Sequence, residues 1–508
     1  MAPLRQNMIR AVLAIAAVFA VTMTYAALPW PYALIMDGLP VLWVPMLPVV
    51  IAILWLILRS LSKMDDVTAA RTAKIIIAAT CAAQLLITIL ADIRAPYFIP
   101  TDVNNIYQAA SDMIAQGTTT LVPTTELPHY FEIYPHNINT LILIYWLFRA
   151  GHTLGMRDYN LIGQVLGVMC MLSCYTSLYS IAKHAHKAKM AAYTTVLLCM
   201  NMSFLMFIPS YYTDIISIGF LAPAAAIAVK YAVTDQPKQK LSAVIAGILL
   251  AAAIKIRITS IFLPLAAIMY GLISGKLKER AKQYAKTVLL TISGFTIAWI
   301  CIGALYSYHM PLDTTDTELP LTHWLMMGAC DDNHYNYCGT CTAFSVHWPT
   351  KEEKTVRTWN AYLEKVQKKG PIGVIAMLVS KEMQTWAAGD PLIDTDAIKP
   401  PGESKVYDSV FGVNSAPMRV YLGVYNFILF ALITAAAVIE LKKPTANTIL
   451  AILLLGAALF YAFWEAGKRY SISFLPYMTL FTAPALNYVA NTPPKQACRA
   501  LINAVKGG

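Results

Sequence analysis

The chain has 508 residues, of which 57% are hydrophobic and 13% charged, with a net charge of +11 and a mean hydropathy of +0.55. Soluble domains carry about 25% charged residues, so a soluble globular protein is excluded; a β-barrel is excluded as well, because its strands would alternate apolar and polar positions instead of running continuously apolar. The positive charge falls in short tracts between apolar segments, as topology signals do, which argues against nucleic acid as a partner.

Met1 to Leu28 opens like a signal peptide, with Arg5 and Arg10 ahead of an apolar run. The run is long and Ala26-Ala27-Leu28 is a weak cleavage site, so it reads as an uncleaved first span near 10–28. Further spans are expected near 40–58, 74–92, 160–182, 190–209, 215–232, 241–256, 258–274, 287–308, 417–439, 447–464 and 471–490. The basic tracts are Arg59 to Lys74, Lys183 to Lys189, Lys238 to Lys240, Lys276 to Lys286, Lys442-Lys443 and the tail with Lys495 and Arg499. Placing all of them in the cytoplasm gives a consistent map with both termini inside. Residues 137–150 are apolar but, at about 14 residues, short for a crossing. Counting them would put Lys183 to Lys189 outside, so a re-entrant or surface helix is expected, with a full span that breaks the charge rule as the alternative.

The expected fold is an all-α polytopic membrane protein of about 12–13 transmembrane helices. Two N-terminal spans (1–73) precede a core (74–308) that holds an external loop, 93–159. A small external α or mixed domain (309–416) is inserted before the last three spans and a cytoplasmic tail (417–508).

Polar residues beside the spans gather on the external side. The first loop offers Asp92, Asp102, Asp112, Glu126, His129, Glu132 and His136. The Tyr211-Tyr212-Thr213-Asp214 turn, the Lys255-Ile256-Arg257 stretch and Glu465 with Lys468-Arg469-Tyr470 join them. Carboxylates next to a span are costly unless solvated or put to use. Lys255 and Arg257 should be kept off the external side unless something offsets them. A phosphate would, with arginine forking to its oxygens and lysine acting as a point charge; interface snorkelling is the bland alternative. Asp102 alone reads as the N-cap of a helix beginning near Val103. His129, Glu132 and His136 offer donor atoms for a divalent metal, although loop residues at such spacing are more often simply solvated. In the second loop Cys330, Cys338 and Cys341 suit one disulfide and one thiol, with zinc bound by the Cys-x-x-Cys pair and His334 as the lesser alternative.

The order of these motifs resembles the GT-C glycosyltransferases, a superfamily of polytopic enzymes that use polyprenyl-phosphate sugars. The carrying residues are Thr101-Asp102 with Tyr107-Gln108-Ala109-Ala110, then Tyr130-Phe131-Glu132-Ile133-Tyr134-Pro135-His136-Asn137, the Tyr212-Thr213-Asp214 turn, Lys255/Arg257 and Glu465 with Lys468-Arg469-Tyr470. In the second loop, His323 to Gly328, Gly370-Pro371-Ile372-Gly373 and Lys381 with Thr385-Trp386-Ala387-Ala388-Gly389 look like a Gram-positive bacterial mannosyltransferase-like group. The resemblance runs from about residue 74 to 490.

The resemblance implies inverting transfer of a sugar from a polyprenyl-phosphate donor to a glycan, lipid or protein acceptor, on the outer face of the cytoplasmic membrane. It casts Asp102 as the general base and Lys255, Arg257 and Arg469 as donor-phosphate ligands. Tyr107, Glu132, His136, Tyr212, Asp214 and Glu465 would line the substrate. Many members carry adjacent acids where this chain has Thr101-Asp102-Val103, so a single base is expected. No cofactor is implied, with a divalent metal left open. A flippase or transporter of lipid-linked glycans and a polymer ligase are the competing readings.

Overall fold

The computed structural model describes residues 2–28, 40–93, 102–121, 127–234, 240–311, 313–332, 334–389, 402–412 and 414–492. Thr101, Glu126, Lys238, Lys495 and Arg499 lie outside them. No strand occurs among the described residues. The continuous apolar runs fold as helices because in hydrocarbon each backbone polar group must find its partner within the segment.

Helices α1 (Ala2–Ala26), α2 (Pro40–Lys63) and α3 (Asp66–Ala91) come first. The Asp65 carboxylate starts α3 by accepting from the backbone N–H groups of Val67 and Thr68, each at 2.8 Å. The loop segment follows with α4 (Asp102–Ala115), α5 (Leu127–Ile133), a 3-10 turn (Pro135–Asn137) and α6 (Ile138–Thr153). Next come α7 (Tyr159–Ala185), α8 (Ala188–Cys199), α9 (Ser203–Phe207), α10 (Thr213–Thr234), α11 (Lys240–Ile256), α12 (Phe262–Ser274) and α13 (Lys276–His309). The inserted segment holds α14 (Leu321–Met327), α15 (Gly339–Val346), α16 (Lys351–Glu382) and α17 (Lys405–Val410). The chain closes with α18 (Ala416–Lys442), α19 (Thr448–Phe463), α20 (Leu475–Phe481) and α21 (Ala483–Asn491).

Among the described residues seven helices are long and apolar enough to cross a membrane. They answer seven of the twelve expected spans, and the other five are shorter or broken. The 190–209 segment is a pair, α8 and α9–Ser210, bent by 52°. The bend falls at the wholly buried Asn201, whose Oδ1 accepts from the Ser203 N–H at 3.0 Å and restarts the helix. The 471–490 segment splits into a 3-10 turn (Lys468–Ser473), α20 and α21, with a proline in the first turn of each α-helix; proline suits a helix start and resists continuation. Segments 241–256, 258–274 and 447–464 are helical but short. Helix α6 has 16 residues, about 24 Å of helix against a hydrocarbon core of about 30 Å. It packs beneath α4, with Phe148 edge-on to Tyr107 at 5.9 Å.

Helices α11 and α13 press backbone to backbone. A Cβ on Gly247 would lie 2.0 Å from the Thr291 carbonyl oxygen, and one on Gly294 would lie 2.2 Å from that of Val244. Only glycine permits this approach, a common means of joining helices in lipid.

The inserted segment forms, over its described residues, helices joined by turns and irregular chain, with no strand among them. Its α14, α15 and α16 enclose a small separate core of Met326, Met327, Cys330, Cys338 and Cys341. After a kink at Gly370 (φ 63°) the chain ends α16 in a π-helical turn, Met383–Ala387. There Trp386 is fully buried in the main core against Phe19, Tyr461 and Phe474. Asn426 fixes the turn by donating to the Trp386 and Ala387 carbonyls at 2.6 and 3.0 Å.

Candidate functional site

Breaks between helices bring the candidate residues together at one end of the bundle. Helix α4 begins at Asp102 itself, with Val103, Ile106, Ala110 and Met113 buried along one face. This anchored face leaves the Asp102 carboxylate 28% exposed beside the partly exposed Arg469, and the space the two side chains open onto is the candidate cleft. Its Oδ1 accepts from the Tyr130 hydroxyl at 2.5 Å, and its Oδ2 lies 2.8 Å from the Tyr212 hydroxyl. Asn137, wholly buried, ties the two tyrosines together: its Nδ2 donates to Tyr130 Oη at 2.6 Å, and its Oδ1 lies 2.9 Å from Tyr212 Oη. Burial and the nearby Asp102 charge raise both tyrosines well above the ordinary phenol range, so they keep their protons and act as donors. A carboxylate has about four acceptor sites, and this arrangement leaves room for a further donor from the cleft.

Arg469 stands opposite, with Nη2 3.7 Å from Asp102 Oδ2 and its side chain 34% exposed. Its guanidinium lies over the rings of Tyr212 and Tyr470, 5.6 and 5.5 Å from their centroids. Arg257 lies behind it, 11% exposed, and pairs with the fully buried Asp214 at 3.0 Å. Tyr470 sits between the two arginines, with Arg257 5.6 Å from its centroid, and stacks on Tyr461 at 5.2 Å. Two cations therefore flank one tyrosine, one open to the cleft and one already neutralised by a buried acid.

Aromatic rings form the facing wall. Trp324 of α14 stacks on Trp464 at 5.8 Å, and Tyr134 and His136 lie 6.2 and 6.3 Å from Trp324. The stack requires α14 to come close to the end of α19, and Gly328 allows it: a Cβ there would lie 2.5 Å from the Trp464 carbonyl oxygen. Lys381 holds the same loop by donating to the Gly328 carbonyl at 2.8 Å. His136 is solvent-exposed beside Tyr134 and Trp324, and desolvation by its neighbours lowers its pKa. Glu465, next to the stack, is buried, and burial raises its carboxyl to about 7.

Of the sequence candidates, Asp102, His136, Tyr212, Asp214, Arg257, Glu465 and Arg469 meet in this cluster. Lys255 does not. Its ammonium lies over the Trp299 ring of α13, 4.0 Å from the centroid, because residues two apart at a helix end point to opposite sides. Tyr107 packs against Phe148. Glu132 pairs with the exposed His129 at 3.6 Å, and among the described residues these two form no metal-holding group with His136. The expected disulfide is not formed in this structure: Cys330, Cys338 and Cys341 are free, with the Cys330 and Cys338 sulfurs 3.7 Å apart against about 2.05 Å in a bond. Tyr130, Asn137, Trp324 and Trp464 join the cluster although the sequence reading gave them no site role. The run of rings from Tyr130 to His136, ending in an asparagine that opens an apolar helix, was the available signal for the first two.

No curated protein matches the sequence. Among solved structures, the chain aligns with the archaeal oligosaccharyltransferase AglB from Archaeoglobus fulgidus, in complex with an inhibitory peptide and a dolichol-phosphate. The identity is 13% and the TM-score 0.36, over 84% of this chain and 52% of that one, so this chain spans about half the length of its neighbour. A likeness that distant carries no functional argument here. Residues 4–489 match the model of a family described as "Conserved hypothetical integral membrane protein", and the chain belongs to that family.

Proposed function

We propose that this protein is a membrane glycosyltransferase of the GT-C type, related to the Gram-positive mannosyltransferase-like group. It transfers a sugar from a polyprenyl-phosphate donor to an acceptor hydroxyl on the extracytoplasmic face of the cell membrane. The observation that carries this reading is the Asp102 carboxylate, oriented by two tyrosines and facing an accessible arginine 3.7 Å away. A base and a cation at that separation suit a reaction that removes one proton and releases one phosphate.

The acceptor oxygen attacks the anomeric carbon as the bond from that carbon to the phosphate oxygen breaks, and the configuration inverts. The hydroxyl proton passes to Asp102, and the polyprenyl phosphate leaves as an anion that needs no protonation. Arg469 stabilises the charge developing on that phosphate. Arg257, neutralised by Asp214, holds Tyr470 in place from behind. The rings of Tyr134, His136, Trp324 and Trp464 offer flat apolar faces with polar edges, suited to the apolar face of a sugar.

The test is transfer of radiolabelled sugar from a panel of polyprenyl-phosphate sugars, in membranes holding wild-type protein or Asp102→Asn. Transfer from one donor should fall by about 10²–10⁴-fold in the variant, the usual contribution of a general base, while the protein stays folded. Transfer that survives the substitution removes Asp102 from the role. A lipid-linked glycan flippase is the second reading, favoured by the broken spans α8–α9 and α20–α21, since transporters bind at interrupted helices. No transfer from any donor, with an acceptor-rich cell-wall fraction present, would bring that reading forward.

A further inference from the structure

We infer that Cys330, Cys338 and Cys341 form a thiolate site for a soft divalent metal, zinc being the fitting ion, which fastens the external helices to the rim of the cleft. The three sulfur atoms lie within 4.8 Å of one another. The Cys330–Cys338 separation of 3.7 Å is far too long for a disulfide. It matches the edge of a tetrahedron of sulfurs around zinc, about 3.8 Å for a Zn–S bond of about 2.3 Å.

The surroundings suit such an ion. All three cysteines are buried, beside Met326 and Met327, in a small core separate from the main one. Three thiolates around a divalent cation leave one net negative charge, and the Lys365 ammonium stands 3.6 Å from the Cys330 sulfur to offset it. Among the described residues no fourth His, Cys, Asp or Glu atom joins the group.

The loop between the first two cysteines is shaped to keep them together. His334 and Tyr335 both take positive φ, 48° and 67°, which side chains other than glycine adopt only when held. The Tyr335 N–H donates to the Cys330 carbonyl at 3.0 Å, and Lys369 pairs with Asp331. The Tyr335 carbonyl in turn accepts from the Ala466 N–H at 2.8 Å, between Glu465 and Arg469. The cluster is thus coupled by one backbone hydrogen bond to the strand of chain that carries the cleft arginine. None of this depends on what the cleft binds.

The test is metal analysis of the full-length protein, purified in detergent without chelator, beside Cys338→Ser/Cys341→Ser. Stoichiometric zinc in the wild type and its loss in the double variant are expected. As a check that does not rely on the variant folding, the wild type is stripped with chelator and titrated with cobalt. The thiolate-to-cobalt charge-transfer band, with d–d bands of tetrahedral intensity, should then appear. Mass spectrometry that finds two of the three cysteines joined in the purified protein, or a wild type that takes up neither ion, would overturn the site.

Discussion

The cleft depends on individual charges being held in unfavourable places, and Glu465 is the clearest case. Burial raises its carboxyl from the ordinary 4.5 to about 7, against the pull of Arg469. The folded protein therefore holds this proton more tightly than the unfolded chain does, so the associated stability is present at low pH and lost as pH rises through the window from about 4.5 to 7. At about 1.4 kcal/mol per pH unit the loss is on the order of 3 kcal/mol. Glu465→Gln, which cannot ionise, should lack it. The melting temperature of the detergent-solubilised variant should match wild type near pH 5 and exceed it by pH 8; a constant gap would mean the acid is already charged. Sequence alone located Glu465, Arg469, Asp214 and Asp102, because ionisable residues at span breaks are conspicuous in so apolar a chain. It misplaced Lys255, since proximity to Arg257 along the chain says nothing about facing the same way at a helix end. It passed over Trp324 and Trp464 because aromatic residues beside a span are ordinarily interface anchors.

Helix positions were legible, while their integrity was not. Average hydropathy over a window hides the single polar residue or proline that ends a helix, so the breaks at Asn201 and before α20 and α21 could not be seen. Those breaks matter to the site, because the 3-10 turn of the last span carries Arg469 and Tyr470. The close pairing of α11 with α13 was hidden for the opposite reason, as a lone glycine in a long apolar run looks incidental. The structure makes it a constraint: at Gly247 even a methyl group would meet the Thr291 carbonyl at 2.0 Å. Gly247→Val should force these helices apart at a cost of about 1–3 kcal/mol, typical of overpacking. Because α11 leads directly into Arg257, the same change should also weaken donor binding. Lower thermal stability in detergent together with a raised KM is the expected pair of results. A variant as stable as wild type would mean the two helices are not in contact.

Across the whole molecule the described basic tracts at Arg59 to Lys74 and Lys183 to Lys189 lie at the end of the bundle away from Asp102. Lys189 donates to the Ser62 carbonyl at 3.2 Å, and Arg59 reaches the Ala490 carbonyl at 3.4 Å. Three loops that the charge rule assigns to the cytoplasm therefore meet at one end. Helix α3 starts at this end and finishes at Ala91, shortly before the segment that leads to Asp102, and α7 runs back from Asp158 to Lys183. Charge counting and helix packing are independent observations, and they agree on which ends lie together. They predict the result of cysteine labelling in a background with the exposed Cys301 replaced by serine. Glu353→Cys, on helix α16 of the inserted segment, should react with a membrane-impermeant maleimide in intact cells. Lys187→Cys and Lys443→Cys should react only after permeabilisation. The reverse pattern would place the Asp102 cleft in the cytoplasm, where nucleotide sugars are at hand and a lipid-linked donor has no special advantage. The sidedness of these three positions therefore bears directly on the choice of donor, because a flipped lipid carrier is needed only on the face that nucleotide sugars do not reach.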